Sequence, residues 1–117
     1  MPHLVLESCG EVLNETQAQA ILEDLVEEFS GIESVSPDAI KARWIVTSRW
    51  QMGEGAPPAF VHCEVRVLAG RTPELLARMK DQVYECILHH LKEPVEKGWI
   101  ALSTEVRTMD PNGYRKS

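Results

Sequence analysis

Several things are scarce in this chain of 117 residues. Its longest uninterrupted apolar runs are only a few residues, far short of the about 20 a membrane helix needs. No apolar segment follows a basic start, so no secretory leader is expected and the reading is cytoplasmic. Positive charge is in the minority: 12 Lys and Arg stand against 18 Asp and Glu, for a net charge of −6 and a pI near 5.2. That balance argues against nucleic acid or an anionic membrane surface as the main partner. It leaves room for a small anionic substrate, because a local pair of cations can outweigh the global sign. The three cysteines, Cys9, Cys63 and Cys86, are odd in number and lack metal-like spacing, so they read as reduced, buried thiols. The four histidines include no i,i+4 pair, and no carboxylate pattern completes a metal site.

What is present is periodicity, and it comes twice. Residues 2–8 alternate, with Leu4, Leu6 and Ser8 on one face and His3, Val5 and Glu7 on the other, as in a half-buried strand. Asn14 followed by Gln17 resembles a capping box at a helix start. Ala18, Ile21, Leu22, Leu25, Val26 and Phe29 then build one apolar helical face. Gly31 is expected to end this helix in a left-handed cap. A second extended run opens at Pro37 and closes at Trp50-Gln51-Met52. It puts Ile40, Ala42, Trp44 and Val46 on one side and Lys41, Arg43, Ile45 and Thr47 on the other.

Gly53 to Pro58 is a connector, and the pattern returns. Phe60 to Leu68 is a strand. Thr72 caps a helix with Pro73 at its first position, and Leu76, Met79, Val83, Ile87 and Leu91 form its stripe. Pro94 and Gly98 are expected to break that helix, and Trp99 to Arg107 is a last strand. The caps Asn14 and Thr72 lie 58 positions apart, as do Pro2 and Phe60. The chain therefore reads as one α/β (α+β) domain, 1–117, of two tandem β-α-β units. The pseudo-repeats are 2–52 and 59–108, joined by linker 53–58. Each unit should contribute a parallel strand pair through a right-handed crossover. Together they give a four-stranded sheet with two helices on one face. The other face is mixed and partly apolar, and self-association would cover it.

The start of the chain carries the chemistry. If the initiator Met is removed, as the small second residue permits, Pro2 presents a secondary amine. An ordinary α-amino group titrates at about 7.7–8.0. Burial and nearby cations both disfavour its charged form. A neutral amine of this kind can act as general base and then return the proton as general acid.

Pro2-His3 before an apolar strand, Trp50-Gln51-Met52, Ala59-Phe60-Val61-His62, Ala69-Gly70-Arg71, and Ala101-Leu102-Ser103 leading to Glu105 occur in order over nearly the whole chain. In these pieces the sequence resembles the 5-carboxymethyl-2-hydroxymuconate isomerase family of the tautomerase superfamily. The resemblance implies a trimer of fused β-α-β units, a site built on the amino-terminal proline, and no cofactor. It also implies an isomerase acting in aromatic compound catabolism, in bacterial homoprotocatechuate degradation. Such an enzyme moves a proton from the 2-hydroxyl of an unsaturated dienol acid to a carbon of its conjugated chain.

Carried over by residue, Pro2 is the catalytic group and Arg71 holds a substrate carboxylate. The planar guanidinium fork suits that task, and the start of the second helix beside it also favours an anion. Lys41 and Arg43 stand where the family pattern has two arginines, so Lys41 is a departure: a point charge replaces a fork. Trp50 is a candidate apolar wall. Each has a plainer alternative: a solvated turn for Arg71, exposed charges or ion pairs with Glu64 or Glu105 for Lys41 and Arg43, core or interface packing for Trp50. His62 reads as structural. Two other functions fit the same frame: a hydratase or dehalogenase acting on an unsaturated acid, and a ligand-binding module that catalyses nothing.

Overall fold

A computed structural model describes residues 2–117; the expected removal of Met1 concerns a residue outside that range. The chain runs β1 (His3–Cys9), α1 (Glu15–Ser30), β2 (Lys41–Thr47), β3 (Ala59–Leu68), α2 (Pro73–Glu96) and β4 (Ile100–Met109). Short 3-10 turns lie at Pro37–Ala39 and Pro111–Gly113. The four strands form one sheet in the order β2-β1-β3-β4. β1 and β2 are parallel, as are β3 and β4, while the central pair β1 and β3 is antiparallel.

Strand alternation decides which side chains meet the helices. Leu4, Leu6 and Ser8 of β1, with Val61, Cys63, Val65 and Val67 of β3, are fully covered. Ala18, Ile21, Leu25 and Phe29 of α1 and Met79, Val83, Ile87 and Leu91 of α2 close over them. Leu22 and Val26, at the edge of the predicted stripe, are only partly covered. Each fully buried Leu or Phe side chain contributes roughly 1.5–3 kcal/mol through loss of apolar hydration. The one buried polar side chain in the described core, Ser8, is satisfied: its Oγ accepts the Trp44 indole N–H at 2.9 Å.

The helix starts follow the sequence closely. Asn14 Oδ1 accepts the Gln17 N–H at 2.8 Å, and the Asn14 N–H donates to Gln17 Oε1 at 3.0 Å. Thr72 Oγ1 accepts the Leu75 N–H at 3.1 Å with Pro73 behind it. The helix ends correct two expectations. Gly31 is right-handed, at φ −81°, with its N–H turned back to Glu28 and Phe29, so the first helix has no left-handed cap. Pro94 does not stop the second helix, which bends at Leu91 (φ −120°, ψ 21°) and runs on to Glu96. A proline ring collides with the carbonyl four residues back, here that of His90, and lacks the N–H that would bond it. The backbone yields one residue later, and Gly98, at φ 72°, then turns the chain into β4.

Candidate active site

Because β1 and β3 are antiparallel, the start of β1, the start of β2 and the end of β3 share one edge of the molecule. His3 is paired with Lys41 on one side and Arg66 on the other, and Arg66 is paired with Arg107 of β4. One strand step further in, Val5 lies between Arg43 and Glu64. Pro2 lies just before this row. It is buried, and its carbonyl accepts the Lys41 N–H at 2.9 Å, which fixes its peptide against β2. The edge is locally cationic in a chain of net charge −6.

Arg71 reaches the same edge from the β3–α2 turn, and it is not a solvated turn residue. Its Nη1 donates to the Leu68 carbonyl at 3.1 Å, its Nε to Ser34 Oγ at 3.2 Å and its Nη2 to the Ser34 carbonyl at 3.1 Å. The turn between β3 and α2 is thereby braced against the loop that leads from α1 into β2. A guanidinium has five N–H donors. These contacts occupy three, leaving one on each terminal nitrogen, the number a carboxylate takes in a forked contact.

Lys41 Nζ donates to the Ala39 carbonyl at 3.1 Å. Among the described residues, neither Lys41 nor Arg43 forms an ion pair with Glu64 or Glu105. Glu64 is taken by Arg66 and by Arg107 (3.6 Å), and Glu105 by His62 (3.3 Å). Burial works against the Glu64 charge, yet the hydrogen bond and the charge of Arg66 prevail and hold its carboxyl below the ordinary carboxylate value. His3 is pushed the other way in charge: burial, then the cations of Lys41 and Arg43, lower its pKa and favour the neutral ring. His62 ties β3 to β4, through Ser103 Oγ at 2.7 Å and Glu105, as a structural histidine would.

Trp50 lies elsewhere. It follows β2 at the far end of the sheet, where the Gly10 N–H bonds the Thr47 carbonyl and the Trp50 indole N–H bonds the Pro58 carbonyl at 3.0 Å. Eight residue steps along β1 separate Gly10 from Pro2, roughly 25 Å at the usual rise per residue. Within one chain Trp50 therefore does not wall the space around Pro2. Sequence reasoning also passed over Tyr114, whose hydroxyl meets His3 Nε2 at 3.1 Å. Only its place in a polar tail was visible beforehand, and nothing local to residue 114 points at residue 3.

A four-stranded sheet of doubled β-α-β units is the fold of the tautomerase superfamily. The chain belongs, within it, to the 5-carboxymethyl-2-hydroxymuconate isomerase family, whose model matches residues 2–117. It is thus a member of a family of isomerases. It is similar to the 5-carboxymethyl-2-hydroxymuconate Delta-isomerase of Escherichia coli, at 25% identity over 114 residues, covering 95% of this chain and 89% of the relative. Among solved structures it resembles a 5-carboxymethyl-2-hydroxymuconate isomerase from Deinococcus radiodurans R1. There the TM-score is 0.86 and the identity 24%, over 99% of this chain and 88% of the other. A fused 4-OT described as a symmetric trimer has the same fold, with a TM-score of 0.73 and 16% identity, over 98% and 93% of the two chains.

Proposed function

We propose that this protein is a cofactor-independent isomerase of 2-hydroxy dienoic polycarboxylates, 5-carboxymethyl-2-hydroxymuconate or a close analogue, with the amine of Pro2 as the proton carrier. The observation that carries the reading is the convergence on one edge of Pro2, Lys41, Arg43 and Arg71, contributed by three separate stretches of chain. Neutral Pro2 nitrogen takes the proton of the 2-hydroxyl. The O–H electron pair becomes the second bond of the ketone, the conjugated double bond shifts, and a carbon of the chain takes the proton back from the prolinium. Arg71, with its two remaining donors, and the Lys41 and Arg43 cations hold carboxylates and stabilise the negative charge that spreads over the dienolate. The same cations keep the amine neutral by raising the cost of a second positive charge nearby.

The reading requires the form that lacks Met1, since an acylated proline nitrogen has no usable basicity. It also includes a homotrimer, which would cover the open sheet face and bring the Trp50 end of one copy toward another. The symmetric trimer described for the fused 4-OT relative supports this assembly.

The test is turnover of a 2-hydroxymuconate-type dienol by the processed protein and by Pro2→Ala. A loss of about 100-fold or more in kcat is expected, the scale on which positioned acid–base groups act. Wild-type turnover by Pro2→Ala, or full activity with Met1 retained, would overturn the mechanism.

One observation favours a second reading. Asp38, in the turn before β2, lines a cavity together with Lys41. A carboxylate there is the group a hydratase or dehalogenase of unsaturated acids would use to activate water. Incorporation of solvent oxygen into the product would select that chemistry; solvent hydrogen at carbon without oxygen selects the isomerase.

A further inference from the structure

The C-terminal segment leaves β4 at Met109, makes a 3-10 turn at Pro111–Gly113 and comes back to the Pro2 edge. There Tyr114 bonds His3 Nε2 at 3.1 Å, and the two rings meet edge-on with centroids 5.9 Å apart. His3 is the direct strand partner of Lys41. The segment is therefore pinned beside the first residues of β1 and β2. Between it and the Pro37–Ala39 turn lies a cavity of about 360 Å³ whose walls include Asp38, Lys41, Tyr114, Arg115 and Lys116. Three cationic side chains and one acidic side chain line it. Among the described residues, Lys41, Arg115 and Lys116 form no ion pair.

We propose that this cavity is a second carboxylate subsite, in which Arg115 and Lys116, held by the Tyr114–His3 contact, act with Lys41 to take the outer acid arm of a three-carboxylate dienol. The proposal rests on the isomerase reading above and assigns the hold on one of its carboxylates to residues of the C-terminal segment. Three features argue for it. The Lys41 N–H is bonded to the Pro2 carbonyl, so the backbone that carries Lys41 lies one strand spacing from that of Pro2. A free basic tail would lose much side-chain and backbone freedom on gripping a ligand. Here Tyr114 has already fixed the backbone, so less freedom remains to be lost. And a lysine by itself grips a carboxylate less specifically than a guanidinium fork. Arg115 brings a guanidinium to the same cavity from another part of the chain.

The experiment compares kcat/KM for 5-carboxymethyl-2-hydroxymuconate and for 2-hydroxymuconate in the processed wild type, in Arg115→Ala/Lys116→Ala and in Tyr114→Phe. The double variant should lower the ratio of the three-carboxylate to the two-carboxylate value at least tenfold, mainly through KM. Tyr114→Phe should lower it in the same direction by less. An unchanged ratio in the double variant overturns the subsite. Calorimetry with tricarballylate and glutarate as unreactive probes separates this failure from failure of the isomerase reading. If wild type isomerises neither dienol, the isomerase reading falls. The subsite then stands if tricarballylate binds at least tenfold tighter than glutarate and the double variant abolishes the difference, and it falls if the two bind equally.

Discussion

The indole of Trp50 rests on the α-carbon of Gly10. A β-carbon built at Gly10 would lie 2.7 Å from Trp50 Cη2, and Gly10 itself has φ +56°. Two demands therefore coincide at one residue: a left-handed backbone and no side chain. Gly10→Ala should lower unfolding free energy by about 1–2 kcal/mol for the backbone alone, and by more because the ring must move. Urea unfolding measures it. Adding Trp50→Ala to Gly10→Ala should recover the steric part and leave the backbone part.

Arg71 has two tasks under the proposed mechanism, bracing the Ser34 loop and holding substrate. Arg71→Ala should reduce kcat/KM about 100-fold, the effect of removing a preorganised charge-stabilising donor. Ser34→Ala removes only the hydroxyl acceptor and leaves the Ser34 carbonyl in place. Its loss should be no more than about tenfold, on the scale of one hydrogen bond. Steady-state kinetics of both variants check this ordering.

The His3 ring should titrate below 6.5, the ordinary value. Its folded pKa is lowered, so the unfolded chain takes up the proton first as pH falls. Stability is then lost through the window from 6.5 down to the folded value and is level below it. Lys41→Ala should move the His3 midpoint upward in an NMR titration, because one of the repelling charges is gone. His3→Gln should flatten the fall in stability over that window.

Glu64 carries the opposite expectation in acid. Its depressed folded pKa makes the Arg66 and Arg107 contacts favourable above the ordinary value of 4.5, and this contribution disappears as pH falls through the folded value. Glu64→Gln should therefore be less stable than wild type at neutral pH and converge with it in acid. Denaturant midpoints across that range read the difference.

The cysteines should be inert in the folded protein. Cys63 and Cys86 are pushed up to about 12, chiefly by burial, and Cys9 is 1% exposed. A thiol reagent should label slowly under native conditions and reach three equivalents per chain only on unfolding. Rapid native labelling of any one would contradict the packing.

Much of the fold was legible because it is written locally. Asn14 with Gln17, and Thr72 with Pro73, mark helix starts through contacts spanning three residues, and alternation along β1 and β3 names the buried face directly. The helix ends were harder. Gly31 does not need its conformational freedom where it stands, and the kink at Leu91 comes from a ring three residues later. The antiparallel pairing of β1 with β3 was not readable either, since nothing in either repeat says how the two meet. That pairing brings Arg66 and Arg71 to the Pro2 edge, where the parallel β1–β2 pair puts Lys41 while carrying Trp50 to the far one. Tyr114 and His3, 111 positions apart, are joined only by the same arrangement.

The antiparallel centre has one more effect. It relates the halves by an approximate two-fold rotation, so the beginning of the second half falls at the opposite rim from the beginning of the first. The nitrogen matching that of Pro2 belongs to Ala59 or Phe60, inside a continuous chain, where it is an amide and the Phe60 N–H is already given to Cys9 Sγ. A polypeptide has a single front end, so under the proposed mechanism this architecture repeats its scaffold and not its basic nitrogen. The proposed trimer would then carry three reactive ends on six matching positions.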